Sequence, residues 1–145
     1  MSALRSWLAS ATASADTNIL VYAALEQGQK TAPAREVLQA LSIRDAPIAL
    51  QCLGEFYHVV TRKYGFDGRQ ARLAIARWRD AFVVRAAGVE TLDRAMHAAE
   101  RHHLNFWDAL LIATLREQGV GVLFSEDMQN GQVIDGVRIV NPFVK

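Results

Sequence analysis

Asp16, Glu55, Asp108 and Asp127 are the residues of this chain best suited to chemistry. They lie far apart, yet each falls where an element of an α/β fold would begin or end. Asp16 opens Asp-Thr-Asn-Ile-Leu-Val-Tyr, directly after a candidate first strand. Glu55 sits in Leu-Gly-Glu-Phe-Tyr, early in a helix, and Asp108 in Asn-Phe-Trp-Asp-Ala-Leu, in the first turn of another. Asp127 ends Leu-Phe-Ser-Glu-Asp, just past an apolar strand. In an open, largely parallel sheet, groups at the carboxyl ends of strands converge on one crevice. Four carboxylates meeting there repel one another and titrate high unless a cation neutralises them. An all-oxygen cluster suits Mg²⁺ or Mn²⁺ rather than zinc. The pattern points to a metal-dependent enzyme acting on phosphates.

Each acid also has a purely structural reading. Asp16 and Asn18 can cap a helix by accepting from its exposed backbone N–H groups. Asn105-Phe-Trp-Asp108 has capping-box spacing, and the helix dipole favours a carboxylate there. Glu55, beside the apolar Leu53, Phe56, Val59 and Val60, has a solvated edge or a salt bridge to Arg62 or Lys63 as its alternative. Of the adjacent Glu126 and Asp127, one is expected to face the crevice and the other solvent. The joint placement of the four favours the functional reading.

The elements that would position these groups alternate along the chain. A short strand is expected to end near Ala15, with a helix from about Asn18 that places Ile19, Tyr22 and Ala23 on one face. After the polar Gln27-Gly28-Gln29-Lys30, Pro33 suits the first turn of a helix striped by Ala34, Val37, Leu38 and Leu41. Pro47 to Leu50 reads as a buried strand, and the Glu55 helix runs to about Lys63. Asp67 caps a helix reaching through Trp78, and Phe82-Val83-Val84 reads as a strand. Thr91 to His103 is helical, with Leu92, Ala95, Met96 and Ala99 at helix spacing. The Asp108 helix ends at Gly119, a suitable C-terminal glycine. Val120 to Phe124 and Val137 to Val140 complete the strands. The alternation predicts an α/β sandwich around a mostly parallel sheet with helices on both faces.

Composition narrows the function classes. At 145 residues the chain fits one domain with a real core. With 51% apolar residues it is not compositionally disordered. A net charge of +1 means that any nucleic-acid site must come from local patches. Arg69, Arg72, Arg77 and Arg79 around Trp78 form one candidate RNA contact, and Arg101, His102 and His103 another basic patch; solvated helix faces are the alternative for both. The single Cys52 excludes an intrachain disulfide and fits a reducing cytosol. No apolar run is long enough to span a bilayer. Arg5, Trp7-Leu8 and Ala13-Ser14-Ala15 mimic an export signal, but Ser6, Ser10 and Thr12 interrupt its apolar stretch. The expectation is a cytoplasmic protein with residues 1–13 as a loose extension and 14–145 as the domain. No phosphate loop supports an ATPase, and no histidine set has zinc-ligand context.

Asp16-Thr-Asn-Ile-Leu-Val-Tyr-Ala, Glu55-Phe-Tyr, Phe106-Trp-Asp108-Ala, and Ser125-Glu-Asp127-Met-Gln-Asn-Gly131 through Gly136-Val-Arg-Ile-Val-Asn-Pro-Phe143 occur in that order. Together these blocks resemble the PIN-domain ribonucleases of the VapC toxin type over about residues 14 to 143. Asp-Thr-Asn alone is a weak signal; the blocks in register are a strong one. The resemblance implies a three-layer PIN-like sandwich and Mg²⁺- or Mn²⁺-dependent cleavage of RNA. It also implies a small cognate antitoxin and a homodimer. By position, Asp16, Glu55, Asp108 and Asp127 become the acidic quartet that holds metal and carries catalysis. Asn18, Ser125 and Asn130 become polar groups that orient carboxylates or water. Two departures stand out: Ala11 to Ala15 lacks the usual β-branched or aromatic strand residues, and Asn130 stands where relatives often carry another acid. A maturation or decay nuclease without an antitoxin, a catalytically silent PIN-like binding module, and a phosphatase for small substrates are the rival readings.

Overall fold

The computed structural model describes residues 2–144. Its elements run α1 (Ser2–Ser10), β1 (Thr12–Ala15), α2 (Thr17–Ala24), α3 (Thr31–Ser42), β2 (Pro47–Ala49), α4 (Leu50–Lys63), α5 (Gly68–Ala81), β3 (Val83–Arg85), α6 (Val89–His102), α7 (Phe106–Glu117), β4 (Val120–Phe124), β5 (Val133–Ile134) and β6 (Val137–Val140). The fold is α/β with a mostly parallel sheet, as the alternation predicts. Four strands pair in the order β1-β4-β6-β5, with only β5 antiparallel. β2 and β3 form a separate parallel pair. The two sheets meet where the Ser14 hydroxyl donates to the Pro47 carbonyl at 2.6 Å.

The register of β1 on β4 positions everything that follows. Ala15 lies beside Phe124, and the Asp16 N–H continues the ladder to the Phe124 carbonyl at 2.9 Å. On the other side of β4, the Ser125 N–H reaches the Val140 carbonyl of β6. Asp16 and Ser125 therefore leave adjacent strands at the same end of the sheet. The small residues of β1 are not a packing defect. Ala13 and Ala15 are buried, and their size lets α1 and α3 pack closely against the strand.

Residues 2–10, expected as part of a loose extension, instead form α1. Leu4 and Leu8, one turn apart on the same face, are buried in the main core. That core is built from Ile19 and Leu20 of α2, Val37 and Leu41 of α3, Phe56 of α4, Ile112 and Leu115 of α7, and Leu123 and Phe124 of β4. Phe56 also meets the Trp78 ring of α5 edge to face, with 4.6 Å between centroids.

α6 packs on α7 through a second, smaller core of Ala95, Ala98, Ala109 and Ala113. This corrects the expected α6 stripe. Thr91, Ala95 and Ala98 face inward, whereas Leu92 and Met96 are exposed. Small residues at the contact bring the helices close, and the larger side chains one position round the helix are left outside. Val133–Ile134 adds a strand the sequence reading missed. It pairs with β6 through the two-residue turn Asp135-Gly136, whose positive φ values of 48° and 84° fit a tight hairpin. Among the described residues no helix is long and apolar enough to cross a membrane.

Candidate active site

Asp16 is the buried anchor of the site. It caps α2 at the end of β1, accepting from the Thr17 N–H on Oδ1 at 2.7 Å. Its Oδ2 accepts from the Ser125 hydroxyl, also at 2.7 Å. The capping reading and the functional reading thus describe one carboxylate. Burial pushes the Asp16 pKa from 3.8 to about 6. The Ser125 and Thr17 hydrogen bonds pull it down, while the negative charges of Asp127 and Glu55 add to the rise. The thiol of Cys52, 3.9 Å from Oδ1, is itself pushed well up by burial and by the Asp16 charge, so it stays protonated.

Ser125 organises the crevice. Besides donating to Asp16, its oxygen accepts from Asn18 Nδ2 at 3.3 Å and from the Asp127 N–H at 3.1 Å. Asn18 also accepts from the Glu126 N–H at 3.4 Å. These bonds settle the adjacent acids. Glu126 turns away, taking the Tyr22 hydroxyl and, at 2.6 Å, the Lys30 ammonium. Burial opposes its ionisation, but the Lys30 and Tyr22 hydrogen bonds prevail and hold its pKa below the ordinary value. Asp127 is left exposed at the mouth of the crevice.

Glu55 and Asp108 come from α4 and α7. Glu55 is exposed, and both its oxygens are held: Oε2 by the Thr17 hydroxyl and Oε1 by Gln51 Nε2, each at 2.9 Å. Gln51 Nε2 also donates to the Trp107 carbonyl at 3.0 Å, which ties α4 to the first turn of α7. Glu55 makes no salt bridge to Arg62 or Lys63. Asn105 and Asp108 are reciprocally paired: the Asp108 N–H donates to Asn105 Oδ1 at 2.9 Å, and Asn105 Nδ2 donates to Asp108 Oδ2 at 2.8 Å. The Asp108 pKa is raised by partial burial first, then by the charges of Asp127 and Glu55, against the pull of Asn105.

Asp16 and Asp108 each feel the charges of Glu55 and Asp127, so the four acids share one region of the fold. Among the described residues no three His, Cys, Asp or Glu side chains are grouped closely enough to hold a metal ion as they stand. The convergence expected from the sequence is one of region and charge, not a preformed cage. Thr17, Gln51 and Asn105 orient the acids, and the first two were missed. Gln51 stands one turn before Glu55, a spacing that brings side chains together on a helix and that could have found it.

Two candidate groups fall elsewhere. Asn130 Oδ1 accepts from the Asn141 N–H at 2.9 Å, closing the segment between β4 and β6, and orients none of the acids. Arg69, Arg72, Arg77 and Arg79 are exposed on α5, and Arg77 lines a groove with Leu38, Trp78 and Phe82. None of them lines the cavity that Glu55 and Asp127 share. Asp67 caps their helix as expected.

The PIN domain family matches residues 15–130, most of the chain. This is a PIN-domain protein. Solved structures with the same fold include VapC20 of Mycobacterium tuberculosis, a sarcin–ricin-loop-cleaving toxin. It gives a TM-score of 0.66 at 22% identity, covering 79% of this chain and 91% of that one. A toxin–antitoxin complex from Klebsiella pneumoniae gives 0.63 at 21% identity over 90% and 97% of the two chains. VapBC2 of Rickettsia felis, bound to a promoter DNA fragment, gives 0.64 at 15% over 88% and 96%. At these identities the likeness is one of fold. No curated protein matches the chain.

Ser125 supports a direct prediction for this PIN-domain site. Ser125→Ala removes a donor from a buried carboxylate, so the Asp16 pKa rises further above about 6. If the site is a metal-dependent nuclease, activity near neutral pH falls about 10- to 100-fold, as for other partners of metal-binding groups. The acid limb of the pH–rate profile moves upward, and more Mg²⁺ is needed for half-maximal rate. Unchanged Mg²⁺ dependence together with an unmoved limb would show that Ser125 does not position Asp16.

Proposed function

We propose that this chain is a divalent-metal-dependent endoribonuclease, the toxin half of a toxin–antitoxin pair. One observation carries the reading. Asp16, Glu55, Asp108 and Asp127 share one end of the sheet with no salt bridge to any of them among the described residues, although neighbouring Glu126 has Lys30. Uncompensated charge of this kind, with Asp16 held at a pKa of about 6, favours binding of a cation. The donors are all oxygen, which fits Mg²⁺ or Mn²⁺.

Asp16, Glu55, Asp108 and Asp127 are the proposed ligands, and the exposed Asp127 has the freedom to close on an ion. A divalent cation held there would supply activation of water and neutralisation of charge on the scissile phosphate. The protein does the positioning. Ser125 fixes Asp16, Thr17 and Gln51 fix Glu55, and Asn105 fixes Asp108. Held in this way, the carboxylates lose little freedom on meeting substrate, and one of them accepts the proton of the attacking water.

The deciding experiment is incubation of total cellular RNA with the purified protein in Mg²⁺, in Mn²⁺ and in EDTA. Discrete fragments that require the metal support the nuclease. Intact RNA in both metals, even with the protein in excess, overturns it. The antitoxin reading draws on the Klebsiella pneumoniae toxin–antitoxin complex, which shares this fold. Its test is whether a small protein encoded next to the gene for this chain copurifies with it and suppresses cutting; the absence of any such protein, or full activity in its presence, sinks the reading.

The homodimer and the cytoplasmic location belong to the same reading. The exposed stripe Val89, Leu92 and Met96 lies outside both cores and suits burial against a second copy. Met96→Lys places a charge in that face and is expected to convert a dimer into a monomer by sedimentation, with the circular dichroism spectrum unchanged. A wild type that is already monomeric at high concentration removes the proposal.

A further inference from the structure

A cavity of about 250 Å³ opens beside the acids, its lining including Tyr22, Glu55, Lys63, Tyr64 and Asp127. Two of the four acids form one wall. Lys63 and Tyr64, at the end of α4, form another. The roles proposed for the quartet use neither of them. We propose that this cavity is an RNA subsite in which Lys63 holds a phosphate neighbouring the scissile one and Tyr64 stacks the adjoining base. The inference rests on the nuclease reading and assigns residues to its substrate.

The physical need comes from the charge of the site. RNA is a polyanion, and its backbone is repelled by carboxylates that lack a counter-charge. The scissile phosphate can be held by metal, but its neighbour requires a cation from the protein. Lys63 is the only cationic side chain among those lining the cavity. It is exposed and makes no salt bridge among the described residues. Its ammonium stands over the Tyr64 ring, 5.6 Å from the centroid, so the two side chains form one cation–aromatic unit that a strand entering the cavity would meet. Lys63 follows Glu55 by two turns of α4, about 12 Å at ~1.5 Å of rise per residue, which separates a flanking phosphate from the acids.

The other groups in the wall sharpen the assignment. The Tyr22 ring is already engaged by the Lys30 ammonium, 5.0 Å from its centroid, and by Phe143 edge to face, leaving Tyr64 as the aromatic side chain beside Lys63. The arginines of α5, the better candidates by sequence, lie outside this cavity. A lysine contacts phosphate as a point charge and a tyrosine face accepts any base, so neither imposes sequence. A base that stacks on Tyr64 must first leave its own helical stack, so the strand is unpaired here.

The test uses an RNA spanning the principal cut site found in total cellular RNA, with wild type, Lys63→Ala, Lys63→Arg, Tyr64→Ala and Tyr64→Phe. Binding is measured in EDTA by fluorescence anisotropy across a salt series, and cleavage in Mg²⁺ gives kcat and KM separately. Lys63→Ala is expected to lower the magnitude of the slope of log K against log salt by about 0.7, one phosphate contact on a single strand. It should raise KM about 5-fold with kcat within about 2-fold, and Lys63→Arg should restore most of both. Tyr64→Ala should weaken binding about 10-fold while Tyr64→Phe retains it. If the Ala variant at 64 does not fold, as judged by its melting curve, Tyr64→Leu takes its place.

An unchanged salt slope and KM in Lys63→Ala, in a wild type that does cut RNA, overturns the subsite and leaves the nuclease standing. A wild type that cuts no RNA in either metal removes both. Because the binding arm is read without metal, a failure of metal loading alone cannot imitate loss of the Lys63 contact.

Discussion

Asp16→Asn is expected to reduce metal-dependent RNA cleavage by about 10³-fold while leaving the fold intact. The loss of rate corresponds to ~4 kcal/mol of transition-state stabilisation, the scale on which a divalent metal contributes. The fold survives because asparagine caps a helix as well as aspartate does. The substituted amide keeps one oxygen to accept from Thr17 or Ser125, but it carries no charge to neutralise a cation. Single-turnover cleavage, with melting and circular dichroism on the same preparations, reads both halves. An Asp16→Asn protein that cuts within about 10-fold of wild type would remove Asp16 from the chemistry and undo the proposed site.

The same substitution should stabilise the metal-free protein near neutral pH. Asp16 has a pKa of about 6 when folded against 3.8 as the reference value. The folded state therefore binds the proton more tightly than the unfolded state. Below about pH 3.8 the group is protonated in both states and contributes nothing. As pH rises from there through about 6, the unfolded state releases its proton first, and the folded protein loses stability. Above this window the penalty is complete, of the order of 3 kcal/mol for a fully buried group.

Urea unfolding in EDTA of wild type and Asp16→Asn, from about pH 4 to pH 7, isolates this contribution. The advantage of the variant should grow with pH across that range. Asp108, whose pKa is also raised, acts in the same direction, and Glu126, whose pKa is lowered, acts in the opposite one. Both are common to the two proteins and largely cancel in the difference. A difference that stays flat with pH would mean that the Asp16 carboxylate is not held in this unfavourable state. Adding Mg²⁺ at neutral pH should stabilise wild type, by an amount set by concentration over Kd, and should do little for the variant. This links the burial of Asp16 to its proposed function: the folded chain tolerates a poorly placed charge that a bound cation makes favourable.

Much of this protein was legible in the sequence because the relevant signals are local. The caps at Asp67 and Asn105 depend on side chains three residues from the N–H groups they satisfy, and both occur as expected. The alternation of strands and helices, the positions of Asp16, Asp108 and Asp127 at element ends, and the parallel character of the sheet follow from periodicity and punctuation. The resemblance to PIN domains rests on those same blocks read together.

The tertiary structure decided what local pattern does not encode. Nothing in residues 12 to 15 specifies β4 as their neighbour; that pairing arises from burying both strands beneath shared helices. It alone brings the Ser125 hydroxyl to 2.7 Å from Asp16, across 109 positions of sequence. Local reading could say that one of Glu126 and Asp127 faces away, but only the arrival of Tyr22 and Lys30 determines that it is Glu126. Leu92 and Met96 have the spacing of a core stripe, yet α7 meets the adjacent face of α6, where alanines allow a closer approach. The α5 arginines and Lys63 are equally charged in the sequence, and only the packing of α4 sets Lys63 beside the acids. Residue types and the local elements that carry them follow from short-range pattern. Their distances and partners depend on non-local burial, whose free energy belongs to the assembled core and not to any one segment.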